Sequence, residues 1–100
     1  MAFVRAAAVG EIPSGEIRAV QVGEKEVALA HMDGKFFAIS NECLHRGGPL
    51  GEGSMQGPVV TCPWHGWEYN VTNGENIDDP SVKVACFAVR VDGDDILIDA

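Results

Sequence analysis

Two short stretches contain the most informative residues of the sequence: residues 43–50 read CLHRGGPL, and residues 62–69 read CPWHGWEY. Each contains one cysteine and one histidine, Cys43 with His45 and Cys62 with His65. Thiolate sulfur and neutral imidazole nitrogen are both good ligands for transition metals. Glycines beside both pairs let the backbone come close to a ligand. The two stretches together are therefore a candidate metal-binding site.

Two kinds of metal centre are compatible with this ligand set. A single tetrahedral zinc ion would use all four residues, but the Cys-x-His spacing of the first stretch replaces the Cys-x2–4-Cys spacing common in zinc sites. A cluster of two irons suits the sequence better, with both thiolates on one iron and both imidazoles on the other. A zinc-bound interaction domain is therefore the weaker of the two hypotheses.

The rest of the chain reads as a series of short strands. Twelve Val and six Ile against four Leu favour pleated strands, while Gly and Pro interrupt the chain too often for a helical bundle. In residues 81–92 the apolar alternation changes phase at Cys86 and Phe87, which predicts a bulge. Alternation and turn signals predict strands at residues 3–7, 16–22, 26–32, 35–40, 58–61, 68–71, 81–92 and 94–99. The sequence therefore predicts an all-β fold.

The two stretches resemble the cluster loops of Rieske-type [2Fe–2S] ferredoxins, in the flanking Gly and Pro as well as in the four ligands. The resemblance covers nearly the whole chain. It implies small antiparallel sheets in one domain over residues 1–100, with a cluster-binding lobe at about residues 41–70. It also implies one [2Fe–2S] cluster per chain, with Cys43 and Cys62 on one iron and His45 and His65 on the other.

Departures from the high-potential members of that family imply a low reduction potential. Those members carry an additional cysteine in each loop, joined as a disulfide, and the matching residues here are Gly48 and Trp64. They also place a serine hydroxyl where this chain has Trp67, whereas Tyr69 matches their tyrosine. Fewer donors toward the cluster disfavour its reduced, more negative state. We expect a value near the low end of the Rieske range, about −150 mV.

The resemblance implies a one-electron carrier rather than an enzyme. Rieske ferredoxins pass electrons from an NAD(P)H-dependent reductase to a terminal ring-hydroxylating oxygenase. This chain has no nucleotide fingerprint of its own. Only His31 remains once His45 and His65 are used, too few for a mononuclear iron site. The alternative is a small Rieske-like subunit of an assimilatory nitrite reductase.

Charge and hydropathy bear on the partners and the compartment. The net charge of −8 argues against binding nucleic acid, because phosphates would repel this surface. No apolar run approaches the length of a membrane span or a signal peptide, so we expect no membrane association and a cytoplasmic location.

The sequence also leads to predictions for residues other than the four proposed ligands. His31 continues the apolar alternation of its strand and is predicted to be structural, and Cys86 is predicted to be a buried thiol. Trp64 and Trp67 are expected to shield the cluster, with partner docking as the alternative. The predicted rim of the electron exit comprises Arg46, Pro49, Leu50 and Trp64, and the competing docking site is an acidic patch of Asp92, Asp94 and Asp95.

Overall fold

A computed structural model describes residues 3–44, 47–64 and 66–100. In the described part of the chain, two 3-10 turns, Val9–Glu11 and Leu50–Glu52, accompany the strands. The strands are β1 (Val4–Ala8), β2 (Ile17–Val22), β3 (Lys25–Met32), β4 (Lys35–Ser40), β5 (Ser54–Gln56), β6 (Val59–Thr61), β7 (Glu68–Asn70), β8 (Cys86–Asp92) and β9 (Asp95–Asp99). The all-β prediction is confirmed. No helix among these residues is long and apolar enough to cross a membrane.

The strands form two antiparallel sheets. The larger sheet has the order β1-β9-β8-β4-β3-β2, and the smaller has the order β5-β6-β7. Strands β3 and β4 form a hairpin that turns at Asp33 and Gly34, a dipeptide typical of such turns, and their φ angles are 49° and 84°. Two successive positive φ angles are typical of the type I′ turn, which suits the twist of a two-residue hairpin.

Strand β3 is covered on both faces and separates two apolar cores. Val27 and Leu29 point into one core, which we call the body core, and Ala28 and Ala30 point into the other, the lobe core. The period-2 alternation of a strand places neighbouring residues on opposite faces, so one strand serves both cores. The body core comprises Ala7, Ile12, Val22, Val27, Leu29, Ala38, Ile96 and Ile98. The lobe core comprises Ile17, Ala28, Ala30, Ile39, Cys43, Leu50, Val60, Cys62, Tyr69, Val71 and Val84.

The structure corrects three sequence predictions. The short strand β5 was not predicted, because its residues show no apolar alternation. The predicted strand at residues 81–92 begins only at Cys86, so the change of phase there marks the start of β8 rather than a bulge within it. Cys86 itself is exposed, not buried, because β8 turns alternate residues toward solvent and Cys86 lies on that face.

Candidate metal centre

The first candidate loop leaves the end of β4 and folds back on itself around Cys43. The Cys43 N–H donates to the Gly48 carbonyl at 2.9 Å, and the Gly47 N–H donates to the Cys43 carbonyl at 2.7 Å. Gly47 has a φ of 73°, a left-handed conformation that favours glycine. Glu42 and Pro49 form an antiparallel bridge across the base of the same loop. The backbone of this loop therefore fixes where the Cys43 thiol lies.

The second candidate loop connects β6 to β7. Cys62 directly follows β6, and its N–H donates to the Trp67 carbonyl at 2.7 Å, which closes the loop just before β7 begins. Because β6 and β7 are paired in register, this loop extends from the end of the small sheet. The small sheet thus positions Cys62, as the large sheet positions Cys43.

The two loops bring the two cysteine thiols together in the lobe core. Both cysteines are buried and neither is in a disulfide. Burial raises the pKa of the Cys62 thiol, the N–H of Trp64 acts in the opposite direction, and the neighbouring Cys43 thiol adds to the rise. Two thiols that share a buried site resist losing their protons together, unless a cation compensates the charge.

Gly48 lies against this pair of thiols. A Cβ atom added at Gly48 would lie 2.7 Å from the Cys62 sulfur and 3.1 Å from the Cβ of Trp64. These distances are shorter than van der Waals contact, so the loop requires glycine at this position. A bulkier residue would push the first loop away from the Cys62 sulfur.

The hydroxyl of Tyr69 is buried beside the first thiol. It lies 3.5 Å from the Cys43 sulfur, and it accepts a hydrogen bond from the Leu44 N–H at 3.3 Å. Burial raises the pKa of Tyr69 to about 12, and the Cys43 thiol contributes to the rise. The hydroxyl therefore keeps its proton at neutral pH and can donate it to a sulfur that carries negative charge.

The described residues fit a metal centre that takes two thiolates from this chain. A thiolate pair in the lobe core would have hydrogen-bond donors at hand, the Tyr69 hydroxyl for Cys43 and the Trp64 N–H for Cys62. Such donors are the usual surroundings of cluster sulfurs. Within residues 3–44, 47–64 and 66–100, no three His, Cys, Asp or Glu side chains are grouped closely enough to hold a metal ion. The predicted ligands His45 and His65, and the predicted rim residue Arg46, lie outside the described residues.

The surface around the two loops differs in part from the prediction. Leu50 is fully buried at 0% exposure in the lobe core, so its predicted place on the docking rim is wrong. The large apolar side chains exposed on the loops are Leu44 (55%) and Trp64 (50%). Trp67 is half-buried against the lobe core, as the shielding interpretation requires, whereas Trp64 is too exposed for that role.

His31 has a structural role, as predicted. Its ring stacks on Phe36 with the ring centroids 4.2 Å apart. Its Nδ1 lies 2.6 Å from the Ile12 carbonyl, and its Nε2 accepts from the Gly34 N–H at 3.2 Å. With Nδ1 donating and Nε2 accepting, the neutral imidazole joins the hairpin turn to the segment after β1.

Asn41 and Asn76 are buried polar residues that sequence reasoning missed. The Asn76 side chain lowers the pKa of Tyr69, against the larger effect of burial, and its Oδ1 accepts from the N–H groups of Asp78 and Asp79. Asn41 joins the two ends of the first loop. Asparagine is common at turns and strand ends, so neither position stood out in the sequence.

Comparisons with known proteins agree on one family. Residues 2–88 match the Rieske [2Fe-2S] domain. The biphenyl dioxygenase ferredoxin subunit of Pseudomonas sp. (strain KKS102) is 34% identical over 101 residues, which cover 99% of this chain and 93% of that protein.

Solved structures of the same kind share the fold. The ferredoxin of carbazole 1,9a-dioxygenase from Nocardioides aromaticivorans IC177 superposes with a TM-score of 0.89 at 27% identity, over 98% of this chain and 97% of that one. A chain from a complex of reduced oxygenase and oxidised ferredoxin in carbazole 1,9a-dioxygenase superposes with a TM-score of 0.86 at 30% identity, over 96% of this chain and 91% of that one.

Proposed function

Because this chain belongs to the Rieske [2Fe–2S] domain family, we propose that it carries single electrons from an NAD(P)H-dependent reductase to a terminal ring-hydroxylating oxygenase. The family implies an iron–sulfur cluster. The chain is an electron-transfer component and not itself an enzyme, since its relatives are ferredoxin components of dioxygenase systems. The observation that carries the proposal is the meeting of two buried, unpaired thiols in the lobe core.

We propose one [2Fe–2S] cluster per chain, held by Cys43 and Cys62 on one iron and by His45 and His65 on the other. When bound, such a cluster takes up and releases one electron at a time. The chain itself supplies two thiolates, keeps water from both sulfurs, and directs the Tyr69 hydroxyl and the Trp64 N–H at them. The lobe of about residues 41–70 is the part of the chain that carries these groups.

The proposed contact with partner proteins is the tip of the two loops. Leu44 and Trp64 expose apolar surface there, one from each loop and each within two residues of a cysteine in the sequence. Exposed aromatic side chains are enriched at protein–protein interfaces. Docking through this surface would bring the partner close to the cluster. A cytoplasmic location stays a prediction.

The alternative role as a small subunit of an assimilatory nitrite reductase is the weaker hypothesis. The similarity to a dioxygenase ferredoxin extends over 99% of this chain, at 34% identity. A bound partner identified as the large subunit of a nitrite reductase, rather than an oxygenase, would favour the alternative.

The experiment that tests the proposed centre compares Cys43→Ser with Cys86→Ser. We expect the wild-type protein to be red-brown and to contain about two irons and two labile sulfides per chain. Cys43→Ser should lose the cluster, because a ligand is removed. Cys86→Ser changes an exposed thiol outside the loops and should retain full iron content. A colourless wild-type protein that contains zinc, or equal iron in both variants, would contradict the proposed ligands.

A further inference from the structure

Asn41 joins the two ends of the loop that carries Cys43. It directly follows β4 and is buried, with 5% exposure. Its carbonyl accepts from the Leu50 N–H at 2.8 Å, and its side-chain Oδ1 accepts from the Gly51 N–H at 2.6 Å. One residue at the start of the loop therefore binds two successive residues at the end of it.

A carboxylate on the neighbouring strand fixes the orientation of the Asn41 amide. Its Nδ2 donates to Oε1 of Glu26 on β3 at 2.7 Å. A carboxylate only accepts hydrogen bonds, so the NH2 end of the amide faces Glu26 and the oxygen end faces Gly51. Glu26 thus determines that Asn41 presents an acceptor to the loop.

The end of the loop that Asn41 holds is itself tightly placed. A Cβ atom added at Gly51 would lie 2.6 Å from Cα of Ala19 on β2, so the Gly51 backbone lies directly against that strand. Leu50 beside it is fully buried in the lobe core. Gly51 is thus held between β2 and Asn41, and the Asn41 bonds fasten the loop where its backbone packs against β2.

We propose that Asn41, oriented by Glu26, is a positioning residue that keeps the first loop closed around the metal centre. The loop backbone fixes the Cys43 thiol, and Asn41 fixes the loop at its base. Opening this base would let Cys43 move away from Cys62 and admit water to the sulfurs. The inference rests on the proposed cluster, and it concerns how long the protein retains that cluster.

The test exchanges the amide at position 41 and the carboxylate at position 26. The measured quantity is the rate at which the purified holoprotein releases iron to a colorimetric chelator. Asn41→Asp keeps the acceptor for the Gly51 N–H but places a second carboxylate against Glu26. We expect iron loss about tenfold faster, equivalent to losing one charge-assisted hydrogen bond. Glu26→Gln alone keeps an acceptor for Nδ2 but no longer fixes the orientation of the amide, so it should lose iron faster than the wild type, by less than twofold.

The double variant Asn41→Asp with Glu26→Gln separates positioning from simple damage. The glutamine amide at position 26 can donate to the new carboxylate, which still accepts from the Gly51 N–H. We expect the rate of iron loss to return to within about twofold of wild type. The matched control is Asn73→Asp, which adds the same charge to a turn residue whose Oδ1 accepts from the Glu75 N–H at 2.9 Å. That control should retain iron like the wild type.

Several outcomes would overturn the inference. Iron loss at the wild-type rate in Asn41→Asp, or no recovery in the double variant, would show that the Asn41 contacts do not hold the loop. If Asn41→Asp does not fold, Glu26→Leu replaces it, since this change leaves Nδ2 without its acceptor and should accelerate iron loss by a smaller factor. Electron paramagnetic resonance of the reduced protein and thermal unfolding are recorded for every variant. Each variant must remain folded at the assay temperature, so that the loss of iron is not caused by unfolding. A wild-type protein without an iron–sulfur cluster would refute the proposed function instead.

Discussion

The two cores of this protein, which lie on opposite faces of β3, differ in the types of side chain that they contain. The body core contains only aliphatic side chains, whereas the lobe core also contains two thiols and a phenolic hydroxyl. Aliphatic side chains gain free energy from burial without needing partners. Buried polar groups cost free energy unless they are bonded. The body core is therefore a source of stability, whereas the lobe core contains the thiols that we propose as cluster ligands.

This difference also appears at the surface. On the body side, Phe3 and Val4 at the start of β1 and Val91 on β8 are exposed apolar residues that are not beside a cysteine. On the lobe side, Leu44 and Trp64 are exposed next to the two buried cysteines. Scattered apolar residues are normal on protein surfaces, whereas Leu44 and Trp64 are the residues that we propose for contact with a partner. Three substitutions can test whether stability, potential and docking divide between the two regions in this way.

The largest effect is expected in the body core. Leu29→Ala should lower the free energy of unfolding by about 2–5 kcal/mol, because it removes a fully buried side chain and leaves a cavity. Urea unfolding at 25 °C measures the change. The visible spectrum and potential of the folded holoprotein should stay as in the wild type.

The control for this substitution is Val91→Ala, which should cost about 0.5 kcal/mol or less because Val91 is exposed. A clear shift of potential in Leu29→Ala would show that the two cores are coupled through β3. The proposed division between the cores would then be incorrect.

How much the sequence predicts also differs between the two regions. In the body, β4 is a short apolar run that starts directly after the Asp33–Gly34 dipeptide, so the bounds of the strand are predicted to the residue. In the lobe, residue type and spacing identify Cys43 and Cys62 as candidate ligands. The burial of Leu50 and the exposure of Leu44 could not be predicted, because both residues lie in a loop without periodicity. The roles of Asn41 and Asn76 depend on contacts between residues distant in sequence, which a single sequence does not reveal.

A smaller effect is expected from Tyr69→Phe in the lobe core. The Tyr69 hydroxyl lies 3.5 Å from the Cys43 sulfur and would donate to it when the sulfur is a ligand. That bond strengthens as the site becomes more negative, so it favours the reduced state. Removing it should lower the potential by about 60 mV, a tenfold change in the equilibrium constant for a one-electron couple.

Voltammetry at neutral pH measures this shift, and iron content shows whether the cluster remains. Leu29→Ala serves as the control, since it destabilises the protein without touching either sulfur. A potential that stays at the wild-type value in Tyr69→Phe would mean that the hydroxyl does not donate to Cys43. A potential that is clearly positive in the wild type would contradict the low value expected from Trp67 and the missing disulfide.

The smallest effect is expected from Trp64→Ser at the loop tip. The substitution removes half-exposed apolar surface but keeps the Trp64 N–H that faces the Cys62 sulfur, so the potential should not move. Losing one interface contact of about 1 kcal/mol corresponds to a roughly fivefold weaker association. Stopped-flow transfer from the reduced protein to a purified Rieske oxygenase, under subsaturating conditions, should slow by about that factor.

The matched control for the loop tip is Val91→Ser, because Val91 is 47% exposed against 50% for Trp64 and lies on the body side. It should transfer electrons at the wild-type rate.

The competing docking site is the acidic patch at the β8–β9 turn, where Asp95 is already bonded to Arg5 at 2.8 Å. If the partner docked there, the double variant Asp92→Asn with Asp94→Asn would slow electron transfer strongly. Trp64→Ser would then leave the rate of transfer unchanged. That result would place the docking surface on the body, because electrostatic steering would then outweigh contact at the loop tip.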